Sequence, residues 1–421
     1  MVKTYNTDDF NLVWLADKGG TSMPLLAQEL TSIGVGEYAA RLMAAKGDFY
    51  ALRVERLSAP AANILKQECL SKGAECAVNP QTILGEPEYA AAVMMATSRQ
   101  YRLIMAGLKR QQFGLPQLAE EIDRALAGIA RASWQMPLPG GDMLFLGTDT
   151  AIMGILNVTP DSFSDGGSYV NTAQAVSHAK QMLADGALII DVGGESTRPG
   201  HQQISEAEEI TRIIPVIEQL RVETDAIVSV DTYKPRVARA ALAAGAQIIN
   251  DIWGLQYPGD QQHEMAQLAA EYNCPVIVMH NRERIVDGER QLLADDAACR
   301  SDILSDAAAF FRRSRAIAAA AGLPETQLIY DIGFGFGKTP EQNIQLLAKL
   351  AGLSVLGQPL LSATSRKSTL GLLTGRDVHE REFATAATMA AAALSGAALV
   401  RVHNVAATRD VLAVCRALKQ Y

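Results

Sequence analysis

The chain has 421 residues, 48% of them hydrophobic, so it can bury a large core and has room for two domains. A net charge of −8 at pH 7 argues against nucleic acid or an anionic membrane as a bulk partner. Five scattered cysteines without metal-type spacing favour a reducing compartment over a disulfide framework. No apolar run reaches the roughly 20 residues needed to cross a bilayer, and the N-terminus does not resemble a secretory signal. We therefore expect a cytoplasmic protein.

Residues 1 to 145 have the pattern of a small α/β domain of unknown role. Strands are predicted at Phe49–Val54 and Val93–Thr97, and helices at Ala61–Lys72, Ser98–Gln111 and Leu115–Arg131. No phosphate loop, metal-ligand spacing or catalytic grouping is found in this part of the sequence. Residues 134–141, rich in proline and glycine, are predicted to link this domain to the rest of the chain.

From residue 146 to 421 one unit repeats: an apolar strand, a polar loop and an amphipathic helix. Strands are predicted at Ile152–Leu156, Leu188–Val192, Ile227–Val230, Gln247–Ile249, Val276–Met279, Leu328–Ile332, Pro359–Ser362 and Ala398–Val402. Eight strands alternating with helices over about 270 residues predict a (β/α)8 TIM barrel. A doubly wound open sheet is the competing fold class.

Polar side chains lie at or just after the end of each of these strands. They are Asn157, Asp191, Asp231, Asn250, Asp251, His280, Asp331, Lys338, Arg366, Lys367, Arg401 and His403. Because parallel strands all end at one face of a barrel, these residues are expected to converge on a single cleft. Several have ordinary structural alternatives: Asp191 and Asp251 as helix caps or acceptors of loop amides, His280 as a core residue, and Lys338 and Arg366 as solvated cations.

The charges suggest two subsites within the cleft. Arg198, Lys367, Arg401 and His403, with the Thr197 hydroxyl, could clamp an oxyanion such as phosphate. Carboxylates accept paired hydrogen bonds, and an amide oxygen also accepts. Asp231, Asn250 and Asp331 could therefore bind a flat heterocycle rich in N–H donors. Phe163 and Phe336 could supply apolar walls.

The following segments closely resemble the motifs of dihydropteroate synthases, in that family's order: Met153–Gly167, Asp191–Gly200, Ser229–Tyr233, Ile249–Ile252, Asp331–Lys338, Ser365–Ser368 and Arg401–His403. The resemblance implies a transferase that condenses 6-hydroxymethyl-7,8-dihydropterin diphosphate with 4-aminobenzoate. The products would be 7,8-dihydropteroate and pyrophosphate, on the route to folate. The first 145 residues resemble, far more weakly, an N-terminal extension found on longer bacterial members.

The resemblance also implies a role for each matching residue. Asn157 would bind Mg²⁺; the diphosphate would be held by Thr197, Arg198, Arg401 and His403. The pterin would be held by Asp231, Asn250, Met279, Asp331 and Lys367, and 4-aminobenzoate by Phe163, Pro199, Phe336 and Ser368. The residues expected to contribute most to catalysis are Asp231, Asp331, Lys367 and Arg401. A homodimer is an expectation from the family alone, because the sequence leaves the oligomeric state open.

Three positions depart from the family pattern without removing a predicted ligand. Ile332 stands where proline is common, Ala363 where glycine is frequent and Asn404 where aspartate is common.

The sequence also leaves other functions open. A methyltransferase acting with a corrinoid partner would share the pterin-binding residues but would not need the cationic cluster or Asn157. A non-catalytic pterin-binding protein, or a second folate enzyme fused at the N-terminus, are further alternatives.

Overall fold

The computed structural model describes residues 10–14, 23–44, 46–158, 168–195, 203–286, 289–292 and 302–419. The chain forms two compact units. The first ends at Arg131 and also includes Leu304–Ala309 and Ala351–Gly357, whereas the remainder of the chain from Ala132 belongs to the second. No helix in the described ranges combines the length and apolar character required to cross a membrane.

The first unit is a small α/β domain, as predicted, and its sheet is antiparallel with strand order β1-β2-β4-β3. Its elements are β1 (Leu12–Trp14), α1 (Met23–Ser32), α2 (Glu37–Ala44), β2 (Phe49–Ser58), α3 (Ala59–Ser71), β3 (Glu75–Val78), β4 (Tyr89–Thr97), α4 (Ser98–Leu108) and α5 (Leu115–Ala130). Side chains of β4 alternate between buried and more exposed positions, as expected for a strand covered on one face. Thr97 and Gln100 form a capping box that begins α4 directly after β4.

The second unit contains a closed barrel of eight parallel strands, which confirms the predicted (β/α)8 fold and shows that the open-sheet alternative was wrong. The strands are β7 (Ala151–Asn157), β8 (Ile189–Gly193), β9 (Ile227–Asp231), β10 (Ile248–Asp251), β11 (Val276–Met279), β14 (Leu328–Asp331), β15 (Leu360–Ser362) and β16 (Leu399–Val402). Around the barrel they follow in chain order, and β16 pairs with β7 to close it. Strands β8 to β11 are almost entirely buried, since helices cover their outer face.

Helices separate the barrel strands. They are α6 (Ser168–Ala184), α7 (Glu206–Glu223), α8 (Pro235–Ala243), α9 (Glu264–Tyr272), α10 (Ile303–Ala320), α11 (Pro340–Ala348), α12 (Ser368–Thr374), α13 (Glu382–Leu394) and α14 (Val405–Leu418). A two-stranded hairpin, β12 (Glu283–Val286) and β13 (Glu289–Leu292), follows β11. Gly186 and Gly245, both at φ +110°, follow the helices before β8 and β10. A left-handed residue there ends the helix and lets the chain turn into the next strand.

Residues 134–146 form a β-hairpin rather than the predicted linker. Its strands are β5 (Trp134–Pro137) and β6 (Met143–Leu146). Met136, Leu138, Leu144 and Leu146 are buried in one core cluster with the first residues of several barrel strands. The hairpin therefore closes the end of the barrel opposite the strand carboxyl termini, and the second unit begins earlier than the boundary predicted at residue 145.

This packing predicts a large difference between two adjacent hairpin residues. Leu144 is fully buried, whereas Phe145 is 62% exposed. Leu144→Ala is expected to lower the free energy of unfolding by about 2–5 kcal/mol, because it leaves a cavity in the barrel floor. Phe145→Ala should change it by less than about 1 kcal/mol. Urea denaturation of both variants measures the difference, and equal effects would show that the hairpin does not support the barrel.

Candidate active site

The strand register brings the polar residues to one rim of the barrel. Asn157 at the end of β7 lies beside Gly193, Gly193 lies beside Asp231, and Asp231 lies beside Asn250. On the other side, Met279 at the end of β11 pairs with Asp331 of β14. These residues lie at or one residue before the ends of six strands, at a similar level, so the cleft predicted from the strand ends is formed.

A pocket lies at this rim. It is lined by Asp231, Asn250, Ile252, Met279, Asp331, Gly333, Phe334, Phe336, Ala363, Lys367 and Arg401. The structure therefore brings the four predicted catalytic residues into one pocket, together with Asn250, Met279 and Phe336. Ala363, one of the three departures from the family pattern, forms part of the same wall.

Arg401 lies at the centre of the pocket's charge network. Its Nε donates to Asp191 Oδ2 at 2.6 Å, and its Nη2 donates to Asp231 Oδ2, also at 2.6 Å. Asn250 Nδ2 donates to the same Asp191 oxygen at 3.0 Å. Asp231 Oδ1, by contrast, is buried and has no hydrogen-bond partner among the described residues. A buried carboxylate oxygen without a donor is costly, so this atom is suited to accept from a ligand.

Burial sets the protonation of these groups. Loss of solvent raises the pKa of Asp231 to about 7, an effect that Arg401 opposes and Asp191 reinforces. Burial also raises the pKa of Asp331, although the Gly333 amide and the nearby cations stabilise its charged form. Burial disfavours the cationic form of Arg401, but Asp191 and Asp231 outweigh it and raise the pKa of the guanidinium. The arginine therefore stays charged, while Asp231 titrates near neutrality.

The loop after β14 forms another part of the pocket wall. Asp331 Oδ1 accepts from Gly333 N at 2.8 Å. Gly333 has φ +60°, and a Cβ atom there would lie 2.1 Å from His280 O, so only glycine fits. Lys338 Nζ donates to the carbonyl oxygens of His280, Gly333 and Phe336 at 2.7–3.0 Å. Lys338 is therefore a buried residue that holds this loop, and the solvated alternative is wrong.

Lys367 projects into the pocket from the residue before α12. Its Nζ lies 4.2 Å from the centroid of the Phe336 ring, a cation–π contact. Burial and the neighbouring Arg401 lower the pKa of Lys367 to about 8, against the opposing effect of Asp331 and Asp231. The lysine is therefore a cation that can lose its charge slightly above neutral pH.

Other predicted ligands lie nearby on the rim. His403 Nδ1 is 2.9 Å from Ser365 Oγ, which joins the ends of β15 and β16. Ser368 is exposed at the first position of α12, one residue after Lys367. Asn157 is partly exposed at the last position of β7. The remaining predicted ligands lie outside the described residues: Phe163, Thr197, Arg198 and Pro199.

The two other departures from the family pattern have local explanations. Ile332 N donates to Leu361 O at 3.4 Å, a hydrogen bond that proline could not make. Asn404 accepts from Ala407 N and caps α14, a task that aspartate performs equally well. Neither substitution alters the charge of the pocket lining.

Two features were not predicted from the sequence: the contacts of Asp191 with the pocket residues, and a charged cluster around Lys234. Asp191 was considered as a cap, but it is fully buried and binds Arg401 and Asn250. Lys234 lies between Glu195 and Glu209, with Nζ–Oε2 distances of 2.6 and 2.7 Å. Glu195 and Lys234 follow the apolar strands β8 and β9 closely in the sequence. Because buried charges must pair with one another, this placement was the signal that could have revealed the cluster. Asp251 accepts hydrogen bonds from the backbone amides of Trp253 and Leu255, which is the structural alternative given for it in the sequence.

His280 is a core residue, as one alternative held. It is 1% exposed, and its ring packs edge-on against Phe310, with centroids 5.2 Å apart.

The described residues contain no group of three or more His, Cys, Asp or Glu side chains arranged to hold a metal ion. Any metal bound by these residues would therefore need most of its ligands from substrate or water.

The chain is similar to known proteins in sequence and in structure. The family described as pterin binding enzyme matches residues 153–403, more than half of the chain. The dihydropteroate synthase of Streptococcus pyogenes serotype M3 is 46% identical over 268 residues, which cover 63% of this chain and 94% of that protein.

Two solved structures of Xanthomonas albilineans dihydropteroate synthase are also similar. One, with 4-aminobenzoic acid, is 41% identical with a TM-score of 0.60 and covers 69% of this chain and 99% of its own. The other, in complex with 7,8-dihydropteroate, is 39% identical with a TM-score of 0.57 and covers 66% and 97%. Taken with the parallel barrel and its strand-end pocket, these matches show that the chain belongs to the dihydropteroate synthase family of pterin-binding transferases in folate synthesis.

Proposed function

We propose that the pocket binds the pterin ring of 6-hydroxymethyl-7,8-dihydropterin diphosphate. The observation that carries this assignment is the buried Asp231 Oδ1, which has no hydrogen-bond donor among the described residues. A pterin edge presents adjacent N–H groups, which match the paired acceptors of a carboxylate. Asp331 supplies a second carboxylate in the same pocket, and Met279 and Phe336 supply apolar walls for a flat ring.

The diphosphate is assigned to the cationic side of the same rim. Arg401 and Lys367 line the pocket, and His403 follows two residues after Arg401 on β16. Thr197 and Arg198, which the sequence assigned to the same anion, are proposed to complete this subsite. Guanidinium and ammonium groups suit phosphate oxygens because their N–H donors form charge-assisted hydrogen bonds.

Asn157 is proposed to bind Mg²⁺ together with the diphosphate. Its side-chain amide offers a neutral oxygen ligand at the end of β7, and it is partly exposed to an incoming ion. This donor set fits Mg²⁺, which keeps several waters and is often bound through substrate phosphates rather than an all-protein cage. When bound, the ion would neutralise charge on the departing pyrophosphate.

The residues of the pocket then explain the reaction. The bond between the pterin methylene and the diphosphate oxygen breaks, and its electron pair leaves with pyrophosphate. Positive charge develops on the methylene and spreads into the pterin, where Asp231 and Asp331 stabilise it. When Asp231 is ionised, the carboxylates of Asp191, Asp231 and Asp331 outnumber the two cations that line the described pocket, Lys367 and Arg401. The described site then carries a net negative charge suited to that intermediate.

The arylamine of 4-aminobenzoate attacks the methylene carbon and then loses a proton. Its subsite is proposed at the outer edge of the pocket, where Phe336 lies in the wall and Ser368 is exposed at the start of α12. Phe163 and Pro199 are proposed to contribute to the same subsite. No protein nucleophile is needed, because pyrophosphate is a good leaving group once its charge is balanced.

A homodimer in the cytoplasm is proposed for the functional state. Phe383 of α13 is 91% exposed, and Leu372 and Leu373 of α12 are 72% and 61% exposed, so these two helices offer apolar side chains to a second copy. Cys69, Cys76, Cys274 and Cys415 are all unbridged and buried, as expected in a reducing compartment. Sedimentation equilibrium would measure the mass in solution, and a monomer at micromolar concentration would contradict the dimer.

One assay tests the proposed reaction directly. The protein is incubated with Mg²⁺, the pterin diphosphate and 4-aminobenzoate, and pyrophosphate and 7,8-dihydropteroate are measured together. We expect both products in equal amounts, with no dihydropteroate when 4-aminobenzoate is omitted. Pyrophosphate release without dihydropteroate would show a hydrolase instead, and the absence of both would refute the assignment.

The protonation of the pocket predicts a bell-shaped pH profile of kcat/KM. Asp231 must be ionised to stabilise positive charge, so activity should fall as the pH drops below about 7. Lys367 must be protonated to serve the anion, so activity should also fall as the pH rises above about 8. Initial rates between pH 5 and 10 at low substrate concentration, on the order of KM/10, would measure both limbs. A profile that is flat across this range would contradict these roles.

A further inference from the structure

Asp191 lies behind the pocket rather than in its lining. It is the third residue of β8 and is fully buried within the barrel. A single atom, Oδ2, accepts from both Arg401 Nε and Asn250 Nδ2, at 2.6 and 3.0 Å. A buried carboxylate is expensive unless charged partners compensate it. Asp191 therefore connects a cation assigned to the diphosphate with an amide assigned to the pterin.

The contact with Asp191 fixes how Arg401 can be used. With Nε bound to Asp191 and Nη2 bound to Asp231, the planar guanidinium is held in one orientation. Its Nη1 group has no hydrogen-bond partner among the described residues. The donors of Nη1 therefore remain available for a phosphate oxygen.

From this geometry we infer that Asp191 is a positioning residue for catalysis: it orients Arg401 and Asn250 toward the two parts of one substrate. The inference rests on the proposed function. Asp191 does not touch the substrate itself, and it acts by holding the two groups that do. A displacement of about 1 Å in such groups can reduce a rate by roughly 10²-fold.

A second consequence distinguishes this role from simple support of the fold. The charged groups that act on Asp231 are Arg401, Asp191, Glu209 and Lys367. The Asp191 charge raises the pKa of Asp231 directly, and it also shares Arg401, which would otherwise pair with Asp231 alone. Removing that charge should therefore lower the pKa of Asp231 and move the acid limb of the activity profile to lower pH.

The test uses the full chain with Asp191→Asn, which keeps the size of the side chain and removes its charge. We expect kcat to fall by about 10²-fold at unchanged secondary structure. We also expect the acid limb of kcat/KM to move down by roughly one pH unit. The matched control is Asp251→Asn, because Asp251 is an equally buried strand-end carboxylate that accepts from the amides of Trp253 and Leu255. That control should lower stability without moving the acid limb.

The outcomes separate the inference from the proposed function. If the wild-type protein forms no dihydropteroate, the proposed function fails, whatever the variant does. If the wild type is active and Asp191→Asn matches it in kcat and pH profile, the positioning role is overturned. Should Asp191→Asn not fold, Asp191→Glu carries the test. It keeps the charge, so the acid limb should stay in place while kcat falls, and a normal kcat would overturn the inference.

Discussion

Replacing Arg401 with alanine is expected to lower kcat/KM by about 10³-fold or more, the scale of losing a preorganised charge at a developing ion. Arg401 is the shared cation of Asp191 and Asp231, with a 2.6 Å contact to each. Without it the two buried carboxylates repel each other, and the pKa of Asp231 should rise further above its present value of about 7, so that Asp231 stays protonated at neutral pH. The variant would therefore lose a diphosphate ligand and much of the negative charge that the pterin cation requires.

Steady-state kinetics and a titration with the pterin diphosphate together measure this effect. Arg409→Ala provides the control, since Arg409 is exposed on the neighbouring helix α14 and pairs with Asp410. The control should retain near wild-type kcat/KM, and circular dichroism should show that both variants are folded. A tenfold or smaller loss for Arg401→Ala would mean that the charge network around Arg401 does not carry the reaction.

The sequence was most informative about the barrel, because buried parallel strands are short apolar runs and the residues after them are polar. All eight predicted strands are present, and their ends differ from the observed ones by one residue in most cases. The strand-end rule then placed Asp231, Asp331, Lys367 and Arg401 in one pocket without any structural information. The family resemblance supplied the substrates, which the residues alone could not identify.

The hydrogen-bond and ion-pair partners of the pocket residues could not be predicted from the sequence, because they depend on contacts between strands that are distant in the chain. Nothing in the pattern shows that Arg401 pairs with Asp191, a residue 210 positions earlier in the chain. Lys338 resembled a solvated cation because its three partners are backbone carbonyls, which have no sequence signature. The hairpin at residues 134–146 was hidden for a similar reason, since its prolines and glycines also suit a linker.

The second large effect is expected for Lys367→Met, which keeps the length of the side chain and removes its charge. We expect kcat to fall by about 10²- to 10³-fold, because the pocket would lose one of the two cations that line it in the described part of the chain. Lys367 is also the group whose pKa is lowered to about 8. The alkaline limb of the pH profile should therefore disappear in the variant, while the acid limb, set by Asp231, should remain. The positive charge of Lys367 opposes protonation of Asp231, so its loss should shift that acid limb slightly upward.

The pH profile is needed to separate loss of charge from altered packing, because altered packing against Phe336 would also lower kcat. Lys349→Met serves as the matched control: Lys349 is 49% exposed and pairs with Asp302 away from the pocket lining. That control should preserve both limbs of the bell. If Lys367→Met keeps an alkaline limb near pH 8, another group sets it and the role of Lys367 as the titrating cation is refuted. If the limb is lost while kcat is unchanged, the lysine controls protonation without stabilising the reacting charge, and the electrostatic part of the proposed mechanism must rest on Arg401.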